Sequence, residues 1–198
     1  MSERWVRDRK RDPYYRAAQR EGLRSRAAFK LVQLQDKLRI IPEGASVLDL
    51  GAAPGGWSLT ARALVGPEGR VVAVDIRNFE PMEGVEFIRG RVGSPQLVER
   101  LKGEQFDVVI SDMAPSISGN YSMDHARSVD LVRQAFTLAE SVLAPGGTFV
   151  AKLFDGDMTH ELRQDLQGRF RRFQVTKPKA SRSQSSEVYV VGLGFISP

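Results

Sequence analysis

The chain has 198 residues, of which 41% are hydrophobic and 27% are charged, a composition typical of a soluble globular protein with one folded domain. It contains no cysteine and only two histidines, which excludes a disulfide framework, a zinc cluster, a cysteine nucleophile and a histidine-based metal centre. The sequence also lacks a signal-type or membrane-length apolar segment, so we expect a cytoplasmic protein. We also expect a monomer that requires no metal.

The net charge of +5 is concentrated in two parts of the chain. Residues 1–30 contain ten Arg and Lys against four Asp and Glu, while the other 168 residues contain 19 basic and 20 acidic side chains. A second cluster, "GRFRRFQVTKPKASR" at 168–182, has six basic residues and no acidic one, and it includes Phe170 and Phe173. Such clusters indicate a polyanionic partner such as nucleic acid, with a solvated face or a flexible arm as the alternative.

We predict a single domain over residues 1–198, with a basic N-terminal arm at 1–24 and a folded core at 25–198. The core begins with "SRAAFKLVQLQDKL", in which Ser25 is a candidate N-cap and apolar residues recur at helical spacing. Lys30 borders this apolar stripe, so from the pattern alone it is a lysine that extends along the edge of the helix. The apolar positions are Ala27, Leu31, Leu34 and Leu38.

Apolar runs of strand length alternate with helical patterns over the rest of the chain. Several runs are continuous Val, Ile and Leu, as expected for strands that are covered on both faces. The clearest helix is predicted from His125 to Leu143 and ends at the turn "APGG". This series predicts an α/β fold with a doubly wound, mostly parallel sheet. The predicted strands are 46–50, 70–75, 85–89, 106–111, 147–153, 172–177 and 187–194.

A glycine-rich turn, "DLGAAPGGWS" at 49–58, directly follows the first predicted strand. At the carboxyl edge of such a sheet, missing side chains allow a ligand to touch backbone amides at the start of a helix. The dinucleotide pattern G-x-G-x-x-G would need a glycine at Ala53, and Pro54 removes an amide donor. The turn therefore favours a nucleotide-like cofactor without a diphosphate, and it argues against an NAD-linked oxidoreductase, for which no hydride-transfer partner is evident either.

Two carboxylates flank this turn in the sequence. Asp75 ends the second strand, 19 residues after Gly56, where a carboxylate can accept hydrogen bonds from both hydroxyls of a ribose. Asp49 lies two residues before Gly51, where it would add negative charge near a sulfonium or amino group. The combination favours S-adenosylmethionine as cofactor. The alternative is that both are capping or turn residues at strand ends.

Three further polar residues lie at predicted strand ends. Asp112 follows the fourth strand, Lys152 lies near the end of the fifth, and Glu187 begins the last. If the last strand is antiparallel to its neighbours, all three meet at the cofactor edge of the sheet. A lysine in an otherwise apolar strand is costly unless it is paired, so a structural ion pair between Lys152 and Asp112 is the alternative to a catalytic role.

The motifs "SRAAFKL", "DLGAAPGGWS", "SDMAPSISG", "AKLFDG" and "SRSQSSEVYVV" together resemble the FtsJ/RrmJ (RlmE) family of ribosomal RNA 2′-O-methyltransferases over essentially the whole chain. The resemblance implies a seven-stranded, Rossmann-like methyltransferase fold and transfer of a methyl group from S-adenosylmethionine to a ribose 2′-oxygen. In bacteria the substrate would be a uridine of large-subunit (23S) rRNA. The implied catalytic tetrad is Lys30, Asp112, Lys152 and Glu187. The predicted cofactor contacts are Asp49, Gly51, Ala52, Pro54, Gly55, Gly56, Trp57, Asp75, Val92 and Asp112.

The chemistry of methyl transfer gives each tetrad residue a hypothetical role. The hydroxyl must lose its proton during or after attack, and a lysine amine can accept it only when neutral. We expect Lys152 to be the base or to steer the proton, Asp112 to orient Lys152, and Lys30 and Glu187 to position the ribose. A nearby ammonium at Lys30 would lower the pKa of Lys152, whereas Asp112 would raise it.

One position departs from the family pattern. Arg91 stands where the family usually has an Asp that accepts a hydrogen bond from the adenine amino group, so we expect backbone or neighbours such as Val92 to hold adenine, with weaker cofactor affinity. The substrate also remains open at this stage. Free rRNA, the assembled large ribosomal subunit and the anticodon loop of tRNA are all compatible with the basic clusters, which supply affinity and not identity. A non-catalytic RNA-binding assembly factor is the remaining alternative.

Overall fold

The computed structural model describes residues 26–181 and 185–196. The predicted basic arm at 1–24 and the Ser25 cap lie outside the described residues, so the division into arm and core stays a prediction. Twelve elements alternate along the described chain. The helices are α1 (Arg26–Leu38), α2 (Gly56–Val65), α3 (Pro95–Arg100), α4 (Tyr121–Val142) and α5 (Thr159–Gln167).

A single seven-stranded sheet forms the centre of the fold, with the order β3-β2-β1-β4-β5-β7-β6. All strand pairs are parallel except those of β7, which runs antiparallel to both β5 and β6. The fold class predicted from the sequence is thereby confirmed. The strands are β1 (Ser46–Leu50), β2 (Arg70–Asp75), β3 (Val85–Arg89), β4 (Phe106–Ser111), β5 (Leu143–Phe154), β6 (Phe170–Thr176) and β7 (Glu187–Phe195).

Helices cover both faces of the sheet and so explain the continuous apolar runs. Val47 belongs to a core cluster that includes side chains of α1 and α2, whereas its neighbour Leu48 belongs to a second cluster that includes side chains of α3, α4 and α5. Successive residues of a strand point to opposite faces, so each face requires its own apolar set. None of the described helices has the length and apolar character needed to cross a membrane.

Several element boundaries differ from the prediction, among them those of β6, which spans Phe170–Thr176 and not 172–177. Helix α4 begins at Tyr121, four residues before His125, because the side chain of Asn120 accepts a hydrogen bond from the amide of Met123 and caps the helix there. The predicted turn "APGG" lies within β5, since Leu143 pairs with Phe106 before the register shifts.

Candidate active site

The four tetrad residues meet at the edge of the sheet where β4 and β5 end. Because β7 runs antiparallel, its first residue, Glu187, lies opposite Phe154 at the end of β5. The Nζ of Lys30 on α1 is 2.5 Å from Oε1 of Glu187. The Nζ of Lys152 donates to the backbone oxygen of Asp112 at 2.5 Å and to its Oδ1 at 3.1 Å. The tetrad is therefore arranged as two ion pairs.

A tyrosine that the sequence analysis did not identify connects the two pairs. Tyr189 lies opposite Lys152 in the β5–β7 register, and its hydroxyl donates to Oδ1 of Asp112 at 2.7 Å. The same hydroxyl is 3.5 Å from Oε1 of Glu187. The sequence could have indicated Tyr189, because a residue two positions after Glu187 in a strand lies on the same face of the sheet.

The tetrad is largely shielded from solvent, which strengthens its electrostatic interactions. Side-chain exposure is 12% for Lys30, 13% for Glu187, 9% for Lys152 and 19% for Asp112. Burial would raise the pKa of Glu187, but the ammonium groups of Lys30 and Lys152 and hydrogen bonds from Lys30 and Ser181 lower it overall. Glu187 is therefore ionised at neutral pH.

Tyr189 is held in its protonated form by its surroundings. Burial, followed by the charges of Asp112 and Glu187, raises the pKa of the Tyr189 phenol well above its ordinary value. The hydroxyl consequently remains a hydrogen-bond donor to the carboxylates. Ser181 donates a further hydrogen bond of 2.9 Å to Oε1 of Glu187, so this oxygen is held from several directions.

Contacts of α1 on either side of Lys30 fix the position of this residue. The indole nitrogen of Trp57 donates to the backbone oxygen of Ala27 at 2.7 Å, and the Trp57 ring stacks on Tyr189 with centroids 5.5 Å apart. One turn after Lys30, Oε1 of Gln33 accepts from the amide of Ala180 at 2.8 Å. Trp57 lies in α2, the helix that follows the glycine turn, so its side chain couples the turn to the helix that carries Lys30.

Most described amides of the glycine turn that precede the helix start bind within the protein. Gly51 and Ala52 both donate to the backbone oxygen of Val74, and Ala53 donates to Oδ2 of Asp75 at 2.9 Å. The first amides of α2, those of Gly56 and Trp57, have no acceptor one turn earlier in the helix. The helix start is therefore the part of the turn that offers free donors.

Steric crowding explains the glycine at position 51. Gly51 has φ +75°, and a Cβ there would overlap the side chain of Met113, which packs over the turn. Gly55 also lies in the left-handed region at φ +101°, directly before α2 begins. The turn thus needs glycine for close packing and backbone conformation.

A cleft of about 470 Å³ opens beside the turn and reaches Asp112. Its polar side includes Asp75, which also accepts from the amide of Arg77 at 2.8 Å, and its apolar walls include Ile76, Val92 and Leu131. A carboxylate beside apolar walls fits the ribose and base of an adenosine cofactor. Of the predicted cofactor residues, the lining contains Gly51, Asp75, Val92 and Asp112.

The other predicted cofactor residues lie outside the cleft lining: Asp49, Ala52, Pro54, Gly55, Gly56 and Trp57. The Trp57 side chain is buried against α1, so any cofactor contact of this residue must come from its backbone. Arg91 lines the cleft next to Val92, and its guanidinium can only donate hydrogen bonds. The departure from the family pattern therefore lies in the cleft itself.

Asp49 is completely buried behind the turn. Its Oδ2 accepts a hydrogen bond of 2.6 Å from the Ser58 hydroxyl, while its Oδ1 has no partner among the described residues. Burial, together with the charges of Asp112 and Asp75, raises the pKa of Asp49 from 3.8 to about 7 despite the hydrogen bond from Ser58. Asp49 therefore contributes less negative charge at neutral pH than the sequence analysis assumed.

The predicted RNA-binding cluster at 168–182 is only partly available for base contacts. The five basic side chains of this cluster that the structure describes are exposed. Phe170, however, is buried in a core cluster with Phe136 and Phe149 and so cannot stack on a base. Arg182 lies outside the described residues. Within 26–181 and 185–196, no three His, Cys, Asp or Glu are grouped to hold a metal ion; metal independence stays a prediction.

Comparisons with known proteins agree with this geometry. The sequence model of the FtsJ-like methyltransferase family matches residues 23–195 of this chain. Two relatives called "Ribosomal RNA large subunit methyltransferase E" are each 47% identical: that of Methanosarcina barkeri covers 97% of this chain and 73% of its own length, and that of Archaeoglobus fulgidus covers 94% and 97%.

A solved structure also resembles this chain closely. The crystal structure of a putative ribosomal RNA methyltransferase from Plasmodium falciparum has a TM-score of 0.78 and 30% identity, and the match covers 88% of this chain and all of that one. The family match confirms S-adenosylmethionine, predicted from the glycine turn and Asp75, as the cofactor. The chain belongs to the FtsJ-like methyltransferase family.

Proposed function

We propose that this protein methylates the 2′-hydroxyl of a ribose in RNA, and that its substrate is a uridine of large-subunit rRNA, free or in the assembled subunit. The observation that carries the proposal is the two lysine–carboxylate contacts, Lys30 with Glu187 and Lys152 with Asp112. Asp112 connects them to the cofactor cleft, which it lines. The names of the relatives support rRNA as the substrate. A substrate of this kind also fits the predicted cytoplasmic location.

The cleft residues Gly51, Asp75, Val92 and Asp112 would hold S-adenosylmethionine, which when bound supplies an electrophilic methyl group on a sulfonium. The protein's own contribution is then to bring the ribose oxygen to that position and to remove its proton. Holding two reactants in a fixed geometry accounts for a large part of such rate gains.

In this proposal Lys152 takes the proton. A neutral amine has two N–H groups and one lone pair, and the two contacts of Nζ with Asp112 occupy both N–H groups. The lone pair is then left free for the proton of the 2′-hydroxyl. Asp112 orients this lone pair and stabilises the ammonium that forms.

In this proposal Lys30 and Glu187 hold the ribose. Oε1 of Glu187 is occupied by Lys30 and Ser181, whereas its Oε2 receives no hydrogen bond from the described residues. An ionised carboxylate oxygen of this kind accepts hydrogen bonds from sugar hydroxyls. Since Lys30 pairs with Glu187, much of its positive charge is compensated before it can act on Lys152.

The experiment compares Lys152→Ala with wild type, using tritiated S-adenosylmethionine and large ribosomal subunits from cells that lack the protein. We expect methyl transfer to fall at least about 100-fold, while calorimetry shows unchanged cofactor affinity. Lys102→Ala, which changes an exposed lysine paired with Glu99, is the matched control and should behave as wild type. Near-normal turnover by Lys152→Ala would refute the assignment of the base.

Mapping of 2′-O-methylated nucleotides in total RNA, with and without the protein, identifies the substrate. A site that disappears from large-subunit rRNA supports the proposal. A site that disappears from a tRNA anticodon loop supports the first alternative. If no site changes and the purified protein binds RNA without methylating it, the non-catalytic alternative is correct.

A further inference from the structure

An exposed apolar segment lies directly beside the catalytic cluster. The described residues include six exposed large hydrophobic side chains, and three of them fall within seven consecutive residues: Ile117 at 69% exposure, Tyr121 at 58% and Met123 at 45%. This segment forms the end of the loop from β4 to α4 and the first turn of α4. Exposed apolar side chains grouped in this way mark contact surfaces.

The segment is held in place by hydrogen bonds. The carboxylate of Asp124 accepts from the Ser118 amide at 2.9 Å, from the Ser118 hydroxyl at 2.7 Å and from the Gly119 amide. These bonds lower the pKa of Asp124, so they persist at neutral pH. The hydroxyl of Tyr121 donates to the backbone oxygen of Asp155. A ring restrained in this way loses little conformational entropy when it binds a partner.

The segment is continuous with the catalytic site on both sides. The loop begins at Asp112 and lines the cofactor cleft up to Ser116, and Ile117 is the first residue of the loop after this lining. The Tyr121 hydroxyl reaches Asp155, which follows Lys152 by three residues. Tyr121 therefore lies in the segment that follows Asp112, and its hydroxyl binds the segment that follows Lys152.

The chemistry of the segment selects one type of occupant. Its exposed large side chains, Ile117, Tyr121 and Met123, are apolar or aromatic, and its exposed polar residues are uncharged. Asp155 and Asp157, which follow β5, are exposed acids that repel phosphate. The face of a nucleobase has no charge and stacks on aromatic side chains regardless of sequence. Phosphates can instead be bound by Lys177 and Lys179, exposed residues that follow the end of β6 at the tetrad edge of the sheet.

We propose that Tyr121, flanked by Ile117, stacks on the base of a nucleotide next to the one that is methylated. This inference rests on the proposed function, because it takes the ribose at Lys152 as the reference point. The proposed stacking would hold the RNA strand in a single-stranded conformation at the site. It would also supply base contacts that the buried Phe170 cannot provide.

The probe is an oligouridylate in which 2-aminopurine replaces alternate bases, bound in the presence of S-adenosylhomocysteine. Its fluorescence should be quenched by wild type and by Tyr121→Phe, which keeps the ring and loses the contact with Asp155. Tyr121→Ala and Tyr121→Leu should lose the quenching and raise the RNA Kd about 10-fold. Val98→Ala, at an exposed apolar side chain on α3, is the control and should match wild type.

Quenching and Kd unchanged in both Tyr121→Ala and Tyr121→Leu would overturn the proposal. So would a loss in Tyr121→Phe as large as that in Tyr121→Ala, because the hydrogen bond to Asp155 would then be the cause. Unchanged affinity for S-adenosylhomocysteine shows that each variant is folded. Failure of the proposed function is seen separately, as RNA binding by wild type without methylation of any RNA.

Discussion

Tyr189 and Asp112 lie 77 residues apart in the sequence, and the Tyr189 hydroxyl donates a 2.7 Å hydrogen bond to Oδ1 of Asp112. The same oxygen receives the Nζ of Lys152. Asp112 is therefore fixed by two donors from neighbouring strands, β5 and β7. This arrangement makes the orientation of the proposed base depend on a phenol that is not part of the predicted tetrad.

Replacing Tyr189 with Phe removes this donor and keeps the ring that stacks on Trp57. We expect kcat to fall about 10-fold, since Asp112 loses one of its restraints, while the Kd for S-adenosylmethionine changes less than twofold. Loss of a hydrogen bond to a charged group should lower the free energy of unfolding by about 2 kcal/mol. Single-turnover kinetics and urea denaturation measure the two effects; an unchanged kcat would contradict the orienting role.

Gly51→Ala tests whether packing of Met113 over the turn is needed for cofactor binding. The matched control is Gly44→Ala, since Gly44 has φ +76°, close to the +75° of Gly51, but no atom within 4 Å of an added Cβ. Both variants incur the backbone strain of a left-handed alanine, about 1 kcal/mol. Only Gly51→Ala should also displace Met113 and weaken cofactor binding in calorimetry. Equal behaviour of the two variants would show that the contact with Met113 is unimportant.

Asp49 should make the protein less stable as the pH rises. Its pKa is about 7 in the folded state against an ordinary value of 3.8, so the folded state retains a proton that the unfolded chain releases. The contribution is fully present below about pH 4, decreases between about pH 4 and 7 and is lost above, a change on the order of 4 kcal/mol. Urea denaturation across this range should show a smaller decrease for Asp49→Asn. A pH dependence identical to that of wild type would contradict the raised pKa.

Trp57→Phe removes the hydrogen bond between the indole and the Ala27 backbone oxygen, and it leaves most of the ring packing in place. We expect the free energy of unfolding to fall by about 1 kcal/mol, because a half-buried hydrogen bond is lost while the carbonyl keeps its place in the helix. Since Ala27 lies one turn before Lys30, kcat should fall as well, whereas RNA affinity should change little. A change confined to cofactor affinity would show that Trp57 acts on the glycine turn and not on α1.

The sequence predicted the strands well and the helix ends less well. Continuous apolar runs such as β2 are a local property, because any strand covered on both faces needs them. The start of α4 was missed because the capping residue, Asn120, lies among the polar residues of a loop, where the sequence pattern does not separate loop from helix. Phe170 was assigned to an RNA-binding cluster because its sequence neighbours are basic, although its side chain is buried in the core.

The sequence by itself determined the alternation of strands and helices, the glycine turn and the presence of two lysines and two carboxylates at strand ends or on α1. Only the tertiary structure decided that Lys30 pairs with Glu187, that Lys152 pairs with Asp112 and that Tyr189 joins them. The physical reason is that these contacts depend on the direction and register of β7 against β5 and on the docking of α1. Neither quantity is encoded in the local spacing of residues.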